Sequence, residues 1–145
     1  MRLGNDMKYH QGRLIDHVAF HVADLQISKT FYLAILSALG KSDGFGCDDQ
    51  CFYFDEFYVG ADGEPCSNLH LAFQADSIEQ VHAFYEAGIE AGGRDNGKPG
   101  YRSYHSSYYA AFLVDPDGNN IEAVCDVGAE RSSRSVTVTR KGGDA

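Results

Sequence analysis

Residues 17–40, HVAFHVADLQISKTFYLAILSALG, return 53 positions later as residues 70–93, HLAFQADSIEQVHAFYEAGIEAGG. The ungapped overlay holds eight identities in 24 positions, at His17, Ala19, Phe20, Phe31, Tyr32, Ala34, Ala38 and Gly40. A duplicated structural unit explains this better than chance composition does. Each copy opens with a short alternating apolar run and continues with apolar residues at helical spacing, so the unit begins strand, then helix.

Local chemistry delimits the helices. Ser77 with Gln80 three residues on has the form of a capping box. Ile78, Val81, Phe84, Tyr85 and Ile89 make one stripe, and Gly92-Gly93 supplies the stop. In the first copy Asp24 is the expected cap, Leu25, Phe31, Tyr32, Ile35, Leu36 and Leu39 the stripe, and Gly40 the end. The aromatic runs Cys51 to Gly60, Tyr108 to Val114 and Asn120 to Cys125 read as strands. Asp115-Pro-Asp-Gly118 has Asp, Pro and Gly where a type I turn wants them, which makes Asp115 and Asp117 turn residues rather than catalytic acids. The expectation is an α+β fold of two tandem βαβββ modules, about 14–60 and 68–126, in one domain spanning 1–130. Residues 131–145, rich in Ser, Thr and Gly, read as a loose accessory tail or a short extra strand around Ser135 to Thr139.

Composition narrows the function classes. A chain of 145 residues can bury a full core without disulfides or a structural metal. No apolar stretch approaches the ~20 residues of a membrane span. Met1 to Gly12 has no signal-peptide h-region, so the cytoplasm is the default compartment and Cys47, Cys51, Cys66 and Cys125 are expected as reduced thiols. The formal charge is -9. From Lys41 to Arg94 there is no intervening Lys or Arg but there are eleven acids, so nucleic acid is a poor partner.

The motifs "IDHVAFHVADLQISKTFY", "NLHLAFQADSIEQVHAFYEAGIEAGG" and "YYAAFLVDPDGNNIEAV" together resemble the vicinal oxygen chelate superfamily. Glyoxalase I, extradiol dioxygenases, fosfomycin-resistance enzymes and bleomycin-resistance proteins belong to it. The resemblance covers about residues 14–126, and the DPDG-x-x-IE hairpin is its most specific piece. It implies that the two modules form a curved mixed sheet around a metal-centred cup, and that chains pair as homodimers, some with exchanged modules.

The residues agree with that implication. On an alternating strand His17 shares a face with Ile15 and Ala19, away from Val18, Phe20 and Val22. His70 holds the equivalent place in the second copy, and Glu122 has opposite parity to Ile121, Ala123 and Cys125. Two imidazoles and a carboxylate make a set that leaves open positions on a divalent ion. The family's ligands lie on these strand positions, so His17, His70 and Glu122 are the expected metal ligands, for Fe(II), Mn(II), Ni(II) or Zn(II). Taken singly, each could be an ordinary hydrogen-bonded core His or solvated Glu. Glyoxalase I types add a carboxylate from the last strand of the first module. Here that run is Phe57-Tyr58-Val59 with Glu56 just upstream, and either Glu56 or Tyr58 could face the cup.

Residues 94–109, RDNGKPGYRSYHSSYY, are long, polar and aromatic, as suits a lid. Arg102 is placed there for a substrate anion and His105 for proton transfer, alongside Glu122. Tyr104 or Tyr109 would donate hydrogen bonds, and His21, on the His17 face, could also line the cup. His10 and His82 read as solvent-facing. Two functions follow. One is a glyoxalase-like or dioxygenase-like metal enzyme doing lyase, isomerase or oxygenase chemistry on a small substrate with vicinal oxygens. The alternative is a metal-independent bleomycin-resistance-type protein sequestering a cationic ligand. Charge favours the second, and the ligand set favours the first.

Overall fold

The computed structural model describes residues 11–142. Residues 17–129 form one compact unit. The described ends, 11–16 and 130–142, group as a second, in which Arg131 donates a hydrogen bond to Gln11. No strand forms around Ser135–Thr139, so the tail is irregular there. No helix among the described residues is long and apolar enough to cross a membrane. His10 lies outside the described residues.

The compact unit runs β1 (Val18–His21), α1 (Leu25–Ala38), a single 3-10 turn, β2 (Phe45–Cys47), β3 (Cys51–Phe54) and β4 (Phe57–Gly60). It continues with β5 (His70–Gln74), α2 (Ile78–Glu90), β6 (Arg94–Tyr101), β7 (Tyr108–Val114) and β8 (Asn120–Asp126). These are the two expected βαβββ modules. Each builds its own four-stranded sheet, in the orders β1-β4-β3-β2 and β5-β8-β7-β6, with the first and last strands of each module parallel. Residues 94–101, expected as the start of a loop, are instead a strand paired with β7 through two irregular steps around Gly97. The loop proper is 102–107.

The duplication extends to the helix ends. The Asp24 carboxylate accepts from the Ile27 N–H, and the Ser77 hydroxyl accepts from the Gln80 N–H. Gln80 reaches back to the Asp76 N–H, one residue beyond the usual box partner. At the other end Gly40 (φ +70) bonds the Ser37 carbonyl while Lys41 bonds Leu36, and Gly92 (φ +98) bonds Ile89 while Gly93 bonds Gly88. Both are Schellman closures, which need a left-handed residue that glycine adopts without a Cβ clash.

One core holds both modules. Phe31, Tyr32, Ile35 and Leu36 of α1 meet Val81 and Phe84 of α2, with Phe52 and Val59 from the first sheet and Leu113 and Ile121 from the second. The stripe of α2 is narrower than its sequence suggests, since Ile89 is exposed. Gly88 lets the elements approach: a Cβ there would fall 2.1 Å from Leu113 Cδ1 and 3.0 Å from Ile35 Cγ2. Both sheets therefore turn their helix-covered sides inward. Their other faces, which carry the exposed His17, Ala19, Tyr53 and Tyr58 in one module and His70, Ala72 and Gln74 in the other, are open.

The hairpin turn 115–118 ties the second module to the first. Buried Asp115 accepts from the Tyr32 hydroxyl at 2.6 Å, from the N–H groups of Asp117 and Asn119, and from Asn119 Nδ2. Asp117 accepts from the Ala23 N–H and the Ser28 hydroxyl. Burial, with the Asp115 carboxylate close by, raises the Tyr32 pKa well above its ordinary value. The native state then keeps a proton that the unfolded chain releases near pH 10, so stability falls as pH rises past about 10, by up to ~1.4 kcal/mol per pH unit for this one group. Tyr32→Phe should cost about 1.5–3 kcal/mol at neutral pH, the worth of a hydrogen bond to a charged group. It should also flatten the alkaline loss; urea titrations at pH 7, 10 and 11 would show both effects.

Candidate functional site

Register makes the two open faces directly comparable. Ala19, Tyr58, Tyr53 and Gly46 lie abreast across the first sheet. Ala72, Glu122, Phe112 and Gly97 lie abreast across the second. The equivalent of Glu122 is therefore Tyr58, and Glu56 belongs to the two-residue turn between β3 and β4. The place where a fourth carboxylate would stand holds a phenol.

In the second module the expected ligands meet. His70 Nε2 lies 3.2 Å from Glu122 Oε1, and His70 Nδ1 lies 3.0 Å from the Asn120 carbonyl oxygen. A carbonyl only accepts, so Nδ1 carries the hydrogen. In that tautomer the Nε2 lone pair faces the carboxylate, and two acceptor atoms at that separation are joined either by a proton shared between them or by a metal ion. The Tyr108 hydroxyl donates to Glu122 Oε2. Glu122 is only 2% exposed although its strand face is open, because His70 and Tyr108 cover it. Burial and the adjoining carboxylate push the Tyr108 pKa far up, so the phenol stays a donor.

In the first module His17 stands edge-on to Tyr58 at 5.9 Å between ring centroids, and Tyr58 stacks on Tyr53 at 5.6 Å. Both tyrosines keep about two-fifths of their surface exposed, 40% and 39%. Among the described residues no three His, Cys, Asp or Glu side chains come close enough together to hold a metal. The chain thus gathers His70 and Glu122 and leaves His17 on the other open face.

The other expected residues divide. Arg102 lies over the Phe112 ring, 5.3 Å from its centroid, on the Glu122 face. Tyr104 and His105 both stand edge-on to Tyr108, and His105 Nε2 is 3.4 Å from Asp126 Oδ2. Tyr109 is a correction: it is buried on the helix side, where its hydroxyl pairs with His82 at 2.6 Å, and it cannot serve the open face. His82 is accordingly engaged as well as exposed. His21 has the open-face parity but pairs with Asp62 at 2.8 Å. Tyr108, which sequence reasoning passed over for its neighbours, is the phenol on the site. Strand alternation from the core residues Ala111 and Leu113 would have selected it. Surface hollows of about 440 and 370 Å³ lie elsewhere, beside Cys125 and beside Asp62.

Two βαβββ modules with a His–carboxylate pair on an open sheet face define a vicinal-oxygen-chelate type of protein, and the comparisons agree. The Glyoxalase/Bleomycin resistance protein/Dioxygenase superfamily model matches residues 14–123, and the chain belongs to that superfamily. A glyoxalase/bleomycin resistance protein from Albidiferax ferrireducens T118 is 35% identical over 77% of this chain and 98% of its own, with a TM-score of 0.68. A glyoxalase/bleomycin resistance protein/dioxygenase family enzyme from Burkholderia phytofirmans PsJN shares the fold at 18% identity, covering 77% of this chain and 98% of its own, with a TM-score of 0.59. A glyoxalase/dioxygenase from Nostoc punctiforme does so at 24%, covering 85% and 99%, with a TM-score of 0.53. No curated protein matches the chain.

Removing the phenol isolates its role. Tyr108→Phe leaves one oxygen of a covered carboxylate without its donor and should cost about 1–2 kcal/mol. Tyr104→Phe, at a 66% exposed position, should stay within about 0.5 kcal/mol of wild type. Urea unfolding of the two variants makes the comparison.

Proposed function

We propose that the protein is a divalent-metal-dependent enzyme acting on a small substrate with two adjacent oxygens. The observation that carries the reading is the 3.2 Å approach of His70 Nε2 to Glu122 Oε1, with Nδ1 already committed to a carbonyl. Such a backed imidazole, beside a carboxylate held by a phenol, is the outer arrangement that fixes metal ligands. His17 is the third ligand. Since it lies on the other open face, a second copy of the chain supplies it, in a symmetric homodimer whose open faces close over each other. Covering exposed Tyr53 and Tyr58 is a further reason for the faces to pair.

A bound divalent ion would supply Lewis acidity to both substrate oxygens, for addition, isomerisation or oxygen insertion. The chain's own residues do the rest. Tyr108 keeps Glu122 oriented, and His105, backed by Asp126, stands at the rim able to move a proton. Tyr58 in place of a fourth carboxylate leads away from four-ligand glyoxalase I chemistry and leaves coordination positions open. The second reading, capture of a cationic ligand without metal, draws on the exposed Tyr53–Tyr58 stack and the net charge of -9.

Calorimetric titration with Fe(II), Mn(II), Ni(II) and Zn(II) tests the reading. It predicts about one ion per chain, at least tenfold weaker binding in Glu122→Gln with the far-UV spectrum unchanged, and about 10–100-fold weaker binding in Tyr108→Phe. If none of the four ions binds the wild type, or if Glu122→Gln binds them as well, the metal reading is wrong. Salt-sensitive binding of bleomycin by metal-free protein would then favour the second.

A further inference from the structure

Arg102 is a cation that the structure sets on the face of the candidate ligands by a prepared seat. Its backbone N–H bonds the Tyr108 carbonyl at 2.8 Å, closing the loop. The guanidinium folds back along β6, Nη2 donating to the Lys98 carbonyl at 2.6 Å and Nη1 reaching the Tyr101 carbonyl at 3.4 Å. Two glycines make the space. A Cβ at Gly97 would lie 3.2 Å from Nη2 and 3.0 Å from the Phe112 ring, and one at Gly100 would lie 3.1 Å from Nη1. Gly97 also has φ +148, and the β6–β7 register shifts on either side of it.

This seat does not neutralise its occupant. Both partners are carbonyl oxygens, and no carboxylate pairs with Arg102 among the described residues, in a chain with 21 acids to 12 bases. About three of the five guanidinium N–H donors remain to be used. Holding so long a side chain in one place costs rotamer entropy that a purely solvated arginine would keep. Gly97, Phe112 and Glu122 lie abreast, and the His70 ring lies nearly parallel to Phe112 at 6.3 Å between centroids and 23°. One phenyl ring thus separates the cation from the His70–Glu122 pair.

Resting on the metal-enzyme reading above, we infer that Arg102 is the anion-recognition residue of the site, and that the substrate carries a carboxylate-like anion beside its vicinal oxygens, joined by a short apolar stretch lying on Phe112. A planar guanidinium with paired donors matches a carboxylate bidentately, which a lysine would not do. In a chain of net charge -9 a cation left unneutralised favours an anionic compound over a neutral one, so the seat acts on selection as much as on affinity.

Catechol and 3,4-dihydroxybenzoate differ only by the carboxylate and are suitable probes. Their binding would be measured by calorimetry in the Zn(II)-loaded and metal-free full-length protein, with the Arg102 Nε–H NMR signal as a local reporter. Wild type should favour the carboxylate compound by about tenfold. Arg102→Gln should abolish the preference while keeping the catechol affinity, and Arg102→Lys should restore only part of it. The Nε–H signal should move with 3,4-dihydroxybenzoate and not with catechol. Equal affinities in wild type, binding of neither compound, or a preference that survives in Arg102→Gln would overturn the inference. The two readings fail differently: affinities for both compounds that do not change with zinc, with the carboxylate preference intact, remove the metal but keep Arg102, while zinc-dependent binding without preference does the reverse.

Discussion

A single buried carboxylate sets the arrangement of everything else. Asp115 is 2% exposed, and an ionised group so placed is tolerable only if its lone pairs are fully used. Three of its donors come from its own turn, which would satisfy a hairpin anywhere. The fourth, the Tyr32 hydroxyl, comes from the helix of the other module. Because that bond is buried and charged, the DPDG turn cannot drift relative to α1, and Asp117 adds two further contacts to the same helix start. The helices are thereby held side by side, close enough that Gly88 has no room for a methyl group. Both open faces are left looking away from the shared core, which is why one chain collects His70 and Glu122 without His17.

Duplication gave two equal frameworks and divergence gave them different chemistry. The rows Ala19, Tyr58, Tyr53, Gly46 and Ala72, Glu122, Phe112, Gly97 differ at the two central positions. A carboxylate in one module answers a phenol in the other. At those positions the second module offers an anionic ligand and the first a stacked pair of tyrosines. Such halves are complementary, not redundant, and that is a reason for copies of the chain to bring unlike faces together.

Much of this was legible in the sequence because it is local. The caps at Asp24 and Ser77, the closures at Gly40 and Gly92 and the DPDG turn each involve residues within a few positions of one another. The parity of Glu122 followed from strand alternation alone. What stayed hidden depended on distance or on irregularity. β6 carries Gly97, Pro99 and Gly100 and no apolar alternation, so residues 94–101 read as loop. Composition alone does not separate Tyr109 from Tyr108, whereas strand alternation puts Tyr109 on the side of Ala111 and Leu113 and Tyr108 on the other. The repeat implied a twofold relation between His17 and His70. It did not reveal that Tyr32 and Asp115 would bind the modules back to back.

The account turns on whether His17 joins His70 and Glu122 across two copies. Mixing His17→Ala with His70→Ala protein under conditions that exchange protomers measures this directly. A site shared between copies regains its full ligand set once per mixed dimer, so Zn(II) binding of near-wild-type affinity should return at about one ion per two chains in that species. If the mixture binds no better than either variant alone, while wild type binds normally, the three ligands do not assemble across copies.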